Sequence, residues 1–255
     1  AVCRFVQARR RSAKRAYLCF DEWNVWYRNM ETNGEGRSAP RLIEEIYNLE
    51  DALVAAGFLH SFIRHADAVK IANIAQIVNV IAPVMTQGDR LLVQSIFHPF
   101  EMVSRRRLGV SLRLALDGPS YEGKENGRVP YIDASAILDG RALSVFLTNR
   151  HTDRAAEVRV GLADGAIVSC ASAEILTGPD AKAANSFERG DPVEAVIDSF
   201  RAAGFNTLVA GQLREDVRAE QDPTKEEYLR ALERCAGHGM RLFFFDQTRL
   251  TQVKD

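Results

Sequence analysis

Two neighbouring acids at the end of an apolar run, Asp21 and Glu22, are the residues of this sequence best placed to do chemistry. The run before them, Ala16-Tyr17-Leu18-Cys19-Phe20, has the continuous apolar character of a parallel strand buried on both faces. In an α/β barrel the groups that act on substrate stand at the C-terminal ends of the strands. Glu22 would then offer its carboxylate at that mouth, with Trp23 and Trp26 close by. A carboxylate there can attack or stabilise an anomeric carbon, and flat rings stack on the apolar faces of a sugar. Spacing alone is a weak signal, because an Asp-Glu pair after a strand more often caps a turn or joins a surface ion pair.

The elements that must position Glu22 are legible on either side of it. Residues 1–15 read as a helix end followed by the basic turn Arg9-Arg10-Arg11-Ser12-Ala13-Lys14-Arg15, whose cations suit a helix C-terminus. Residues 32–40 have loop composition. Ile46, Leu49, Leu53, Ala56 and Ile63 then recur at helical spacing, and a second buried-strand pattern covers residues 68–74. Strand, loop, helix and strand in that order make a parallel β/α repeat.

From about residue 106 the pattern changes to short alternating or β-branched segments, at 109–116, 142–148, 157–162 and 167–175, separated by turn clusters such as Asp139-Gly140. That is a β-sandwich signature, expected over 106–188. Residues 189–255 change again. Asp191-Pro192-Val193-Glu194 carries the signs of a helix start, with Val193, Val196, Ile197 and Phe200 facing inward and Gly204 as the stop. A strand over 205–210, a helix opened by Asp222-Pro223 and a strand over 240–245 complete an αβαβ tail, expected to begin another barrel.

Phe20-Asp21-Glu22-Trp23-Asn24-Val25-Trp26-Tyr27 resembles the nucleophile motif of glycoside hydrolase family 51, the α-L-arabinofuranosidases. The likeness continues through Tyr47-Asn48-Leu49-Glu50-Asp51-Ala52-Leu53, His65-Ala66-Asp67 and the stretch from Val69 to Pro83, and returns in Glu174-Ile175-Leu176-Thr177-Gly178-Pro179-Asp180. It spans residues 1 to about 188. The resemblance implies that residues 1–105 are the last two strands of a (β/α)8 catalytic barrel and that a jelly-roll-like sandwich follows. It further implies that Glu22 is the nucleophile, that Trp26 lines a sugar subsite and that Gln76 hydrogen-bonds the arabinosyl unit. The implied reaction is a double displacement in which Glu22 forms a covalent arabinosyl intermediate, while a second carboxylic acid about 5–5.5 Å away serves as acid and base. In that family the acid/base belongs to the fourth barrel strand, expected upstream of Ala1. Asp21 should point to the opposite face of the strand, and Glu50 and Asp51 lie in a helix, so the chain by itself is expected to be inactive or nearly so.

Two other readings stand beside the enzyme. One is a catalytically inactive carbohydrate-binding fragment, with Trp23 and Trp26 as a shelf for arabinan. The other is a non-functional fusion of two gene pieces, joined where the likeness ends. Other polar residues read as structural. His60 and His65 belong to a helix surface or end, and His98 packs beside aromatics with the barrel mouth as the alternative; Asn73 and Asn79 flank the segment around Gln76, either holding it or contacting sugar hydroxyls, and Asp246 ends an apolar strand, where a catalytic reading is the weaker one.

The composition limits the partners. Lys+Arg (33) and Asp+Glu (34) nearly cancel, which gives no global field for nucleic acid or a membrane surface. No apolar run approaches the roughly 20 residues that cross a bilayer. Cys3, Cys19, Cys170 and Cys235 are scattered without metal-ligand spacing, so neither a metal nor any other cofactor is expected, and a reducing, cytoplasmic setting is the default. The expected ligand is an arabinofuranosyl-containing saccharide. Oligomers are common in the resembled family, which leaves room for a homo-oligomer that the sequence does not specify.

Overall fold

The computed structural model describes residues 1–27, 43–152, 154–167, 169–190, 192–198, 207–210 and 239–246. Helix α1 (Val2–Arg9) precedes strand β1 (Leu18–Trp23), which pairs in parallel with β2 (Val69–Ile74) across helix α2 (Leu49–Arg64). The β/α repeat therefore forms, but its strands are not buried on both faces as their apolar runs suggest: Leu18, Phe20 and Ile71 are exposed, because β1 and β2 pair only with each other among the described residues. β1 runs further than the apolar segment, through Asp21 and Glu22 to Trp23, because the backbone of Trp23 continues the ladder by accepting from the N–H of Ala75 at 2.9 Å.

Helix α2 begins later than its apolar spacing suggests. Asn48 accepts from the Asp51 N–H at 3.2 Å, and the Asp51 carboxylate accepts from the Asn48 N–H at 2.8 Å. This reciprocal cap satisfies two donors that the first turn would leave orphaned. Ile46 is left outside the helix and exposed. The helix lies at the junction of the molecule. One side carries Phe58 and Phe62 against Trp23, while His60 and Arg64 reach residues of the strand-rich part.

A hairpin of β3 (Val84–Gln87) and β4 (Arg90–Val93) follows β2, then helix α3 (Phe97–Ser104). Neither stands out in the sequence, and α3 has no polar cap at its start: its N-cap residue is Ile96, which makes no side-chain capping bond. Burial of Met102 and Val103 beside Trp23 and α2 holds the helix instead.

The strand-rich part comprises β5 (Val110–Leu112), β6 (Ser120–Gly123), β7 (Gly127–Pro130), β8 (Ile132–Asp139), β9 (Ala142–Asn149), β10 (Ala156–Arg159), β11 (Ser169–Thr177), β12 (Glu194–Asp198), β13 (Thr207–Ala210) and β14 (Gly239–Asp246). Its main sheet has the order β12-β11-β14-β9-β8-β5, while β6–β7 and β10–β13 form separate pairs. Strands β8 and β9 close on a two-residue turn, Gly140-Arg141, where Gly140 takes a φ of +57° that a side chain would resist.

The tail departs from expectation. Glu194–Asp198 is a strand antiparallel to β11, with Leu176 opposite Ala195, in place of the helix expected from Asp191-Pro192-Val193-Glu194. The start signal there is a local preference, and the open edge of β11 offers a full ladder to β-branched Val196 and Ile197. The later strands also join existing partners: β13 pairs with β10, and β14 lies parallel between β9 and β11. They do not form a sheet of their own, as the start of another barrel would require. The helix expected after Asp222-Pro223 lies outside the described residues.

Candidate active site at the ends of two parallel strands

Glu22 stands one residue before the last pair of the parallel register, Trp23 opposite Ile74, and Gln76 follows two residues beyond that partner. The two side chains thus sit at the C-terminal ends of neighbouring parallel strands, where barrel-type folds place their working groups. Glu22 and Gln76 are both exposed, and among the described residues no ion pair ties up the Glu22 carboxylate.

The strand carrying Glu22 is irregular at that point. The rings of Phe20 and Trp23 both meet Phe62 of α2, each with centroids 5.2 Å apart, although three residues of separation should turn them to opposite faces. The β1–β2 register shifts between the same two residues. Strict alternation, which would put Asp21 and Glu22 on opposite faces, therefore fails here. Both acids are exposed, between two rings that turn toward the helix. Irregularities of this type are frequent beside functional residues because they re-aim a side chain.

The two tryptophans separate. Trp23 is 5% exposed, packed against Phe58, Phe62 and Phe100, so it cannot form a shelf with its neighbour. Trp26 is 49% exposed and remains at the rim. Past the end of β2, Gln76 holds a φ of +58°, and Asn79 and Ile81 are also left-handed at +66° and +40°. Non-glycine residues rarely adopt this region, and clusters of them mark segments that the surrounding structure holds in place. Asn79 supplies part of that hold, accepting from the Thr86 N–H at 2.7 Å and donating to its hydroxyl at 3.1 Å. Asn73 is exposed.

Three bonds fasten the chain just after Glu22. The Asn24 side-chain amide donates to the Ile81 carbonyl, Tyr47 donates its hydroxyl to the Val25 carbonyl at 2.7 Å, and Tyr27 donates to Asp51. Tyr47 is fully buried and Asp51 is 2% exposed. Burial, reinforced by the Asp51 charge, pushes the Tyr27 phenol well above its ordinary range, so it stays a donor. Burial likewise raises the Asp51 carboxyl. Buried Gln94 completes the frame: it accepts from the Tyr47 N–H at 2.9 Å and donates to the carbonyls of Glu45 and Ala82 at 3.1 and 2.7 Å. The sequence alone carries Tyr47 only within the family motif, sets Asp51 aside as a helix residue and gives no sign of Gln94. The Asn48-x-x-Asp51 spacing is a capping signature and would have singled out one of them.

Two further acids near the mouth, Glu50 and Asp51, are engaged. Glu50 pairs with Lys182, and both oxygens of Asp51 accept hydrogen bonds. His60, expected on a helix surface, is instead 1% exposed, its ring nitrogens 2.8 Å from the Ser135 hydroxyl and 2.9 Å from that of Thr148. His65 ends α2 at the surface, with Nδ1 2.8 Å from the Ser61 carbonyl. His98 stands edge-on to Phe97 with centroids 6.0 Å apart, in the packing role expected of it. Asp246 terminates β14, as its position after an apolar run suggests. No described helix is long and apolar enough to cross a membrane.

The family model described as the alpha-L-arabinofuranosidase C-terminal domain matches residues 21–210. It passes residue 188, where the sequence likeness was expected to stop, and takes in β12 and β13. An intracellular exo-alpha-(1->5)-L-arabinofuranosidase of Halalkalibacterium halodurans is 40% identical over 157 residues, which are 59% of this chain and 31% of that protein. Intracellular exo-alpha-(1->5)-L-arabinofuranosidase 1 of Bacillus subtilis is 37% identical over 199 residues, 76% of this chain and 40% of the relative. Among solved structures, a family 51 alpha-L-arabinofuranosidase from Bifidobacterium longum aligns with a TM-score of 0.69 at 26% identity, over 82% of this chain and 42% of that one. The chain thus spans about a third of the length of the curated relatives it matches. With the match continuous through the β1 end, the α2 junction and the strands that follow, the chain belongs to the family of the α-L-arabinofuranosidase C-terminal domain.

Proposed function

We propose that this chain supplies the nucleophile-bearing part of a retaining glycoside hydrolase that releases terminal α-L-arabinofuranosyl units from arabinose-containing polysaccharides or oligosaccharides. Glu22 attacks the anomeric carbon, the bond to the leaving oxygen breaks as a second carboxylic acid protonates it, and water then releases the sugar from Glu22. Trp26 covers one side of the sugar and Gln76 hydrogen-bonds its hydroxyls. The β1–α2–β2 unit is read as part of a (β/α)8 barrel and the strand-rich part as a jelly-roll-like sandwich. The names of the relatives support a cytoplasmic setting and an arabinofuranosyl substrate.

The observation that carries this reading is the position of Glu22: an exposed carboxylate, unpaired among the described residues, at the C-terminal end of a parallel strand whose neighbour leads within two residues to Gln76. The acid/base is a separate matter. Glu50 and Asp51 are committed to Lys182, Tyr27 and Asn48, which leaves neither free for proton transfer. Loss of a general acid costs about 10²–10⁴ in rate, so the chain alone should turn over an aryl α-L-arabinofuranoside negligibly. The test is mass spectrometry of the chain joined to, or mixed with, the N-terminal part of a relative and treated with a mechanism-based arabinofuranosyl probe. Label on Glu22 supports the proposal; label on another residue, with Glu22→Gln still active, rejects it.

A further inference from the structure

We propose that Tyr47 and Asp51 are positioning residues that set the place of Trp26 at the candidate site, an inference that rests on reading Trp26 as a sugar contact. Trp26 lies between two tethered neighbours. Val25 before it gives its carbonyl to the Tyr47 hydroxyl at 2.7 Å, and Tyr27 after it gives its hydroxyl hydrogen to Asp51. Both anchors are buried, and both belong to one short stretch of chain, the entry to α2. A side chain flanked on both sides by bonds to a buried helix end loses most of its backbone freedom before any ligand arrives. Holding such a group in advance lowers the ordering cost of binding.

The helix entry is itself held from elsewhere. The N–H groups of Leu49 and Glu50 donate to the carbonyls of Ala183 and Ala181 at 2.9 and 3.0 Å, and Asn48 bridges to Ala184. The Tyr47 N–H is taken by Gln94, whose amide also grips Ala82 in the segment that follows Gln76. The turn after β11 and the β2 exit therefore meet at the same helix end that fixes the rim. The strand-rich part thereby reaches, through this helix end, the segment that carries the aromatic at the mouth.

The two tryptophans make this measurable in the full chain. Iodide reaches the exposed Trp26 and not the buried Trp23, and Trp26→Phe assigns the signal. In Tyr47→Phe, and independently in Tyr27→Phe, time-resolved anisotropy should show loss of the ordered fraction of Trp26 at a temperature where circular dichroism is unchanged. Asp51→Asn, with one acceptor oxygen in place of two, should give a partial loss. Unchanged Trp26 order in both tyrosine variants, or a lowered melting temperature without it, overturns the proposal. Should Tyr47→Phe fail to fold, the exposed Tyr27→Phe decides alone. Titration with methyl α-L-arabinofuranoside tests the underlying reading separately: no binding to the unmodified chain counts against the sugar site, while the anchors stand or fall on Trp26 order.

Discussion

The indole of Trp23 meets the ring of Phe62 edge-on, with centroids 5.2 Å apart, and this contact fastens the residue next to Glu22 onto α2. The carboxylate is thereby fixed by a buried neighbour rather than by bonds of its own. The same cluster takes in Phe58 and Phe100, so the geometry at the strand end depends on packing between α2, α3 and β1.

Replacing Trp23 should therefore damage the fold as a whole. Trp23→Ala removes a buried aromatic whose truncation costs about 3–5 kcal/mol, while Trp23→Phe should cost clearly less. Urea titration followed by circular dichroism measures the difference, and equal, small effects would show that the cluster does not hold β1.

Glu22→Gln should behave in the opposite way. The side chain is exposed and unpaired among the described residues, so stability should change by no more than about 0.5 kcal/mol. A larger loss in the same titration would point to a structural role for the carboxylate.

Acid should loosen the junction between α2 and β8–β9. Burial lowers the pKa of His60 from 6.5 to about 4, so the folded chain keeps the ring neutral while the unfolded chain takes up a proton. Between these values the unfolded state binds more protons, and stability is full above about pH 6.5 and falls as pH drops toward 4. The loss should approach about 3 kcal/mol. Burial alone would raise the Asp133 carboxyl, but His60, Arg64 and Arg150 outweigh it and hold it low, so its contribution goes only at more acid pH. Melting temperature against pH, compared with His60→Gln, isolates the histidine. A variant with the same pH 4–6.5 slope as the unmodified chain would assign the loss elsewhere.

The cap of α2 should be worth a measurable amount. Asn48→Ala removes the acceptor for the Asp51 N–H at a cost of about 1 kcal/mol. Asp51→Ala should cost more, because it also strips Tyr27 of its acceptor. Chemical denaturation of the two variants ranks them, and the reverse order would mean that the Tyr27 bond contributes nothing.

Read by itself, the sequence determined the local elements whose signals are strong. The apolar run before Asp21-Glu22, the helical stripe that takes in Leu49 to Ile63 and the second run over 68–74 suffice for a parallel β/α repeat, and the family resemblance adds Glu22, Trp26 and Gln76 as the proposed site residues. Only the tertiary structure decided the rest. It buried Trp23 rather than exposing it, because Phe58 and Phe62 come from α2 and Phe100 from α3, residues far along the chain. It buried His60 between two hydroxyls on β8 and β9. It turned residues 194–198 into a strand, since a capping signal is worth about a kilocalorie per mole and an open sheet edge offers a whole ladder. Periodicity records which face of an element is apolar, but the partner that covers that face comes from a distant part of the chain.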